Sequence, residues 1–76
     1  MTTKEKIIAA AKEVFHEKGL AGARMQEIAD LCGINKALLH YHFQTKENLF
    51  RSVFISAILE ILPAIMALLN TPRPLK

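Results

Sequence analysis

Apolar residues at Ile7, Ile8, Ala11, Val14 and Phe15 recur at spacings of three and four, while Lys4, Lys12, Glu13 and Lys18 fall elsewhere. That is one stripe on a helix of 3.6 residues per turn. Thr2-Thr3-Lys4-Glu5 has the form of a capping box, so the helix is predicted to begin there, with Thr2 and Glu5 satisfying each other's backbone N–H. Gly19 is predicted to end it as a left-handed cap, and Leu20-Ala21-Gly22 then reads as a short connection.

Met25, Ile28, Ala29 and Cys32 repeat the same spacing over a shorter stretch. Gly33, followed by apolar Ile34 and the capping residue Asn35, predicts a tight turn into a third helix. In that helix Leu39 and Phe43 share a face and define its inside, with Lys36 and His42 flanking them. Ala37, Leu38, His40, Tyr41 and Gln44 are left on the outer arc, and an outer arc carrying Leu and Tyr calls for a partner.

Thr45 is placed to cap a fourth helix, whose apolar run extends from Leu49 and Phe50 through Val53, Phe54, Ile55, Ile58, Leu59, Ile61 and Leu62. Pro63 should kink it, Thr71-Pro72-Arg73-Pro74 should end it, and Pro74-Leu75-Lys76 looks like the start of a further helix. Between Ile55 and Leu69 Glu60 is the only ionisable residue, and apolar side chains surround the helix. A three-helix unit cannot bury such a surface. The run from Ile55 to Leu69 is shorter than the ~20 residues that cross a bilayer, so burial against a region outside this chain is the expectation.

A chain of 76 residues, 51% hydrophobic and 22% charged, is consistent with one small packed domain and excludes disorder or a collagen-like repeat. Cys32 stands alone, so no internal disulfide holds the fold. With no basic-then-apolar leader at the amino terminus, a cytoplasmic location is the default expectation. The net charge of +3 fits attraction to a polyanion but is common in domains of this size. Enzyme chemistry finds no footing. His40 and His42 are two apart on a helix and cannot chelate one metal, His16 with Glu13 and Glu17 reads as a solvated face, and no phosphate-binding glycine loop is present. No cofactor is expected.

A helix-turn-helix requires a small residue where two helices cross, a glycine in the turn, and apolar residues that lock the second helix onto the first. Ala29, Gly33, Ile28, Ile34 and Leu39 supply these, so the span from about Met25 to Phe43 is predicted to be such a motif, with its second helix suited to the major groove of DNA. The stretch Ile28-Ala29-Asp30-Leu31-Cys32-Gly33-Ile34-Asn35-Lys36 and the segment from Leu39 through Tyr41-His42-Phe43 to Lys46-Glu47-Asn48-Leu49 strongly resemble the amino-terminal domain of TetR-family transcriptional regulators. The likeness extends back through Glu17-Lys18-Gly19 and the helix carrying Phe15, up to about Phe54.

That resemblance implies an all-α fold: a three-helix, homeodomain-like bundle with a helix-turn-helix in residues 1–48, and a linking helix in residues 49–76 leading to an effector-binding and dimerisation domain that this chain lacks. It implies a sequence-specific regulator, usually a ligand-relieved repressor, that binds double-stranded operator DNA as a homodimer, responds to a small-molecule effector and has no membrane partner. By motif position Lys36, Ala37 and Tyr41 would face base edges, while His40, His42 and Lys46 would lie near phosphates. The residue types suit these roles. Lys36 sits at the leading end of the third helix, Ala37 permits close approach to a thymine methyl, and Tyr41 can pack on the sugar-phosphate wall and donate to it. Lys46 begins a helix whose free N–H groups favour an anion, with Asn35 and Thr45 as caps at the two helix starts.

Two departures from the family pattern stand out. His40 occupies a position where a backbone-contacting tyrosine is usual, and a histidine there would hold phosphate more strongly once protonated at acid pH. Ala23-Arg24 replaces the Thr or Ser that commonly caps the second helix; Arg24 can fork onto phosphate oxygens but supplies no hydroxyl. Read from the residues alone, a helical protein-interaction module without DNA affinity and a small membrane-associated regulator remain alternatives, and the first of these stays open as the competing function.

Overall fold

The computed structural model describes residues 1–70, and the expected Pro-rich helix end and the start of a further helix lie outside them. Four helices follow in order: α1 Thr3–Gly22, α2 Met25–Cys32, α3 Lys36–His42 and α4 Lys46–Asn70. Among the described residues there is no strand. The capping box at the start of α1 forms as expected, with Glu5 N–H donating to Thr2 Oγ1 at 3.1 Å and Thr2 N–H to Glu5 Oε1 at 2.8 Å.

Gly19 departs from expectation. It takes φ 74° and ψ 172°, outside the left-handed helical region, and the chain resumes helical form beyond it to Gly22. The glycine is therefore a kink rather than a terminus. Only a residue without Cβ adopts that angle pair at little cost. The bend turns Leu20 back toward the core, where it is half-buried, and brings Ala23 into the core at 2% exposure. Ala23 N–H closes the corner by donating to Gly19 O at 3.1 Å.

The core is drawn from every helix: Ile7, Ala10, Ala11, Val14 and Phe15 from α1, Ile28 and Ala29 from α2, Leu39 from α3 with Phe43 just after it, and Leu49 and Val53 from α4. Ile7, Ile28, Leu39 and Leu49 are the largest side chains with no appreciable exposure. Each removes apolar surface from water worth about 1.5–3 kcal/mol, so the core rests on a few fully enclosed residues rather than on a deep interior. Ile8, expected in the α1 stripe, is only half-buried, and the smaller Ala10 is buried. Phe15 and Phe50 meet edge to face at 5.2 Å, tying α4 to α1, and the Lys4 ammonium lies 5.9 Å from the Phe43 ring centre.

Beyond Val53 the picture reverses. No residue from Phe54 to Asn70 is buried, and Phe54, Ile55, Ile58, Leu59, Ile61, Leu62, Ile65, Met66, Leu68 and Leu69 are all exposed. The helix runs without interruption through Pro63. At 25 residues the helix as a whole is long and apolar enough to cross a membrane, although its run from Ile55 to Leu69 alone is shorter than a span. A single such helix is weak ground for a membrane role. Its one charge in this half, Glu60, meets Lys12 of α1 at 3.4 Å, with both side chains more than half exposed.

Candidate nucleic-acid interface

The turn between α2 and α3 is built by backbone chemistry that glycine permits. Gly33 takes φ 80° and ψ 27°, its N–H donates to Asp30 O at 3.2 Å, and Ile34 N–H reaches Ala29 O at 3.1 Å. This is the paired arrangement of a Schellman end, and Ile34 packs half-buried against the core beside it. Asn35 then opens α3, its Oδ1 accepting from Leu38 N–H at 2.7 Å. The direction in which α3 leaves the turn is thus fixed at both sides of Gly33.

Leu39 and Phe43 anchor α3 inward at 0% and 4% exposure, as the spacing predicted. The opposite arc presents Lys36, Ala37, Leu38, Tyr41 and Gln44 to solvent, with Tyr41 75% exposed. Half-buried His40 and His42 lie between the two faces. Tyr41 stands edge to face with the His42 ring at 5.2 Å, which limits the orientations of both. His40 Nδ1 lies 3.3 Å from the Gln44 carbonyl oxygen. A carbonyl can only accept, so Nδ1 is the donor in this bond.

Helix α2 starts without a side-chain cap. Arg24 supplies no acceptor, and instead Glu27 reaches back to accept from the Arg24 N–H at 3.1 Å. Glu27 also binds the Lys18 ammonium. That hydrogen bond from Lys18 holds its carboxyl below the usual glutamate range, against the opposing effect of desolvation and with help from the Arg24 N–H. The guanidinium of Arg24 is left exposed beside α3.

Arg24, Met25, Lys36, His40 and Lys46, with Ala21 and Ala23, line one shallow depression where the start of α2, the start of α3 and the start of α4 converge. Arg24, Lys36, His40 and Lys46, expected separately at phosphates or bases, therefore share one surface. Thr45 caps α4 as predicted, its Oγ1 accepting from Asn48 N–H at 3.0 Å. The Lys46 ammonium donates to Ala23 O at 3.0 Å and lies 3.5 Å from Ala21 O, so it rests on the α1–α2 corner at the edge of this depression. No sequence pattern signals that tie, because the partners stand more than twenty positions apart. Among the described residues no three His, Cys, Asp or Glu side chains gather as a metal site.

Residues 7–53 match the family model described as "Bacterial regulatory proteins, tetR family". The chain belongs to the tetR family. Its matched region is the family's amino-terminal DNA-binding domain. It is 43% identical over 53 residues to the HTH-type transcriptional regulator QacR of Staphylococcus aureus, covering 70% of this chain and 28% of that protein. To the HTH-type transcriptional repressor NicS of Pseudomonas putida it is 39% identical over 51 residues, covering 67% of this chain and 24% of the relative. The chain thus spans about a quarter of the length of these relatives. A Mesorhizobium loti structure assigned to the tetR family superposes with a TM-score of 0.84 at 32% identity, over 95% of this chain and 38% of that one. One from a Shewanella species gives 0.84 at 30% identity, over 93% and 38%. The family and the all-α helix-turn-helix fold implied by the sequence both hold.

Proposed function

We propose that this chain is the operator-reading end of a transcriptional repressor that binds double-stranded DNA as a homodimer and releases it on binding a small molecule. The observation that supports this best is the outer arc of α3, which offers Lys36, Ala37 and Tyr41 from a helix held rigidly by the Gly33 turn and the Leu39 anchor. Lys36 at the leading end reaches guanine acceptors, Ala37 sits close to the groove floor, and Tyr41 lies along the sugar-phosphate wall. Arg24, His40, His42 and the start of α4 at Thr45 and Lys46 border that arc and track the flanking phosphates, with Asn35 holding the helix start.

Residues 1–48 form the reading unit in this proposal, and residues 49–76 lead into an effector-binding and dimerising region outside the chain. The protein acts in the cytoplasm, without enzymatic activity, cofactor or membrane partner. The relatives named as a regulator and a repressor, which are several times longer, support the reading. Selection of duplexes from a random library followed by titration at several salt concentrations tests it. Binding should weaken log-linearly with salt, by about 0.9 log unit per tenfold salt for each phosphate neutralised. A helical protein-interaction module would show no duplex binding at any salt, and partition into liposomes without DNA affinity would favour a membrane role for α4.

A further inference from the structure

We infer that Glu27 is a positioning residue for DNA binding that acts through Arg24, by pinning the N-cap of α2 to the straight part of α1; this rests on the DNA-binding reading above. Its carboxylate has two partners. Oε1 accepts from the Arg24 N–H at 3.1 Å, and Oε2 takes the ammonium of Lys18, which stands immediately before the Gly19 kink. The two oxygens therefore span the corner: one holds α1 on the near side of the kink, and the other holds the start of α2 beyond it. The Lys18 bond keeps the carboxyl below the usual glutamate range, so both oxygens can accept at neutral pH.

Arg24 depends on this carboxylate because nothing local replaces it. As the N-cap of α2 it has an extended backbone, φ −122° and ψ 141°, and its side chain supplies no acceptor to the helix start. The bond from its N–H to Glu27 sets the orientation of the Ala23–Arg24 peptide, and thereby the direction in which the Cα–Cβ bond of Arg24 leaves the chain. The exposed guanidinium hangs on that bond at the rim of the depression shared with Lys36, His40 and Lys46. A small turn of the backbone is magnified along so long a side chain, and fixing its base lowers the freedom lost when it closes on a phosphate. Charge alone predicts the opposite effect. A carboxylate near a DNA-facing surface repels phosphate and occupies Lys18, so its removal would tighten binding if Glu27 did nothing else.

Glu27→Ala removes both bonds, and Glu27→Gln keeps an acceptor for the Arg24 N–H without the charge. In DNA-free protein the Arg24 amide proton resonance should move upfield in Glu27→Ala and return toward its parent position in Glu27→Gln. Far below the thermal transition, Glu27→Ala should weaken binding to a selected duplex several-fold, and Glu27→Gln should recover most of that loss. Arg24→Gln should itself weaken binding and lower the salt slope by about 1. In the Arg24→Gln background, Glu27→Ala should change affinity by less than about twofold, because the residue it acts through is gone. An equal loss in both backgrounds would mark a general weakening of the fold and overturn the inference. Tighter or unchanged binding in Glu27→Ala, an Arg24 amide that does not respond, or an Arg24→Gln variant that binds like the parent would overturn it too. A parent chain that binds no duplex overturns the DNA-binding reading and this inference with it; a chain that binds yet ignores Glu27→Ala overturns the inference alone.

Discussion

The two ends of α4 obey opposite rules. Its first two turns place Leu49 and Val53 in the core, rest Phe50 on Phe15 and tie Lys46 to the α1–α2 corner. From Phe54 onward the same helix carries apolar side chains into solvent on every side. Near its start, each large apolar residue has a partner within this chain. Farther along, the apolar surface far exceeds what the three short helices can cover, and surface of this kind marks a place of contact. The comparison separates what this chain builds from what it offers.

The largest expected contrast comes from truncating one leucine at each end. Leu39→Ala, at a site with no exposure, should cost about 2–5 kcal/mol and leave the unit barely folded by urea denaturation. Leu62→Ala, on the exposed part of α4, should leave the urea midpoint within experimental spread. Equal losses would mean that the far half of α4 belongs to the same core. A similar contrast applies to recognition. Tyr41→Ala should weaken duplex binding by about 1–3 kcal/mol while helicity by circular dichroism stays intact, because Tyr41 is 75% exposed. A loss of helicity instead would place Tyr41 in the packing of the bundle.

Gly33→Val should be milder than Leu39→Ala. A Cβ at Gly33 meets nothing within 4 Å, so the cost is that of holding a β-branched residue at φ 80°. That amounts to about 1–2 kcal/mol in a thermal or urea melt. The smallest effect concerns acid. The Lys18 bond depresses the Glu27 carboxyl in the folded state, so its contribution is complete above the ordinary glutamate range and fades as pH falls through the lowered folded value. Glu27→Gln should be slightly less stable than the parent at neutral pH, and the two urea midpoints should converge in acid.

Local chemistry made most of this fold legible in the sequence. The Thr2 and Asn35 caps, the Gly33 turn and the inward pair of Leu39 and Phe43 each depend on residues within a few positions of one another, where spacing carries the information. Gly19 misleads because a glycine that ends a helix and one that kinks it share the same sequence signature, and packing of Leu20 and Ala23 selects the kink. The shared depression of Arg24, Lys36, His40 and Lys46 forms only once three helix starts converge. The contact of Lys46 with the α1–α2 corner was hidden for the same reason, since its acceptors are main-chain oxygens that no residue type advertises.

Amide chemical-shift mapping of this chain against a selected duplex sets the two regions side by side in one experiment. The account predicts perturbations concentrated at Arg24, from Asn35 to His42 and at the first turn of α4, with Ile58 to Asn70 unmoved. Perturbations confined to the far half of α4, with α3 silent, would contradict it.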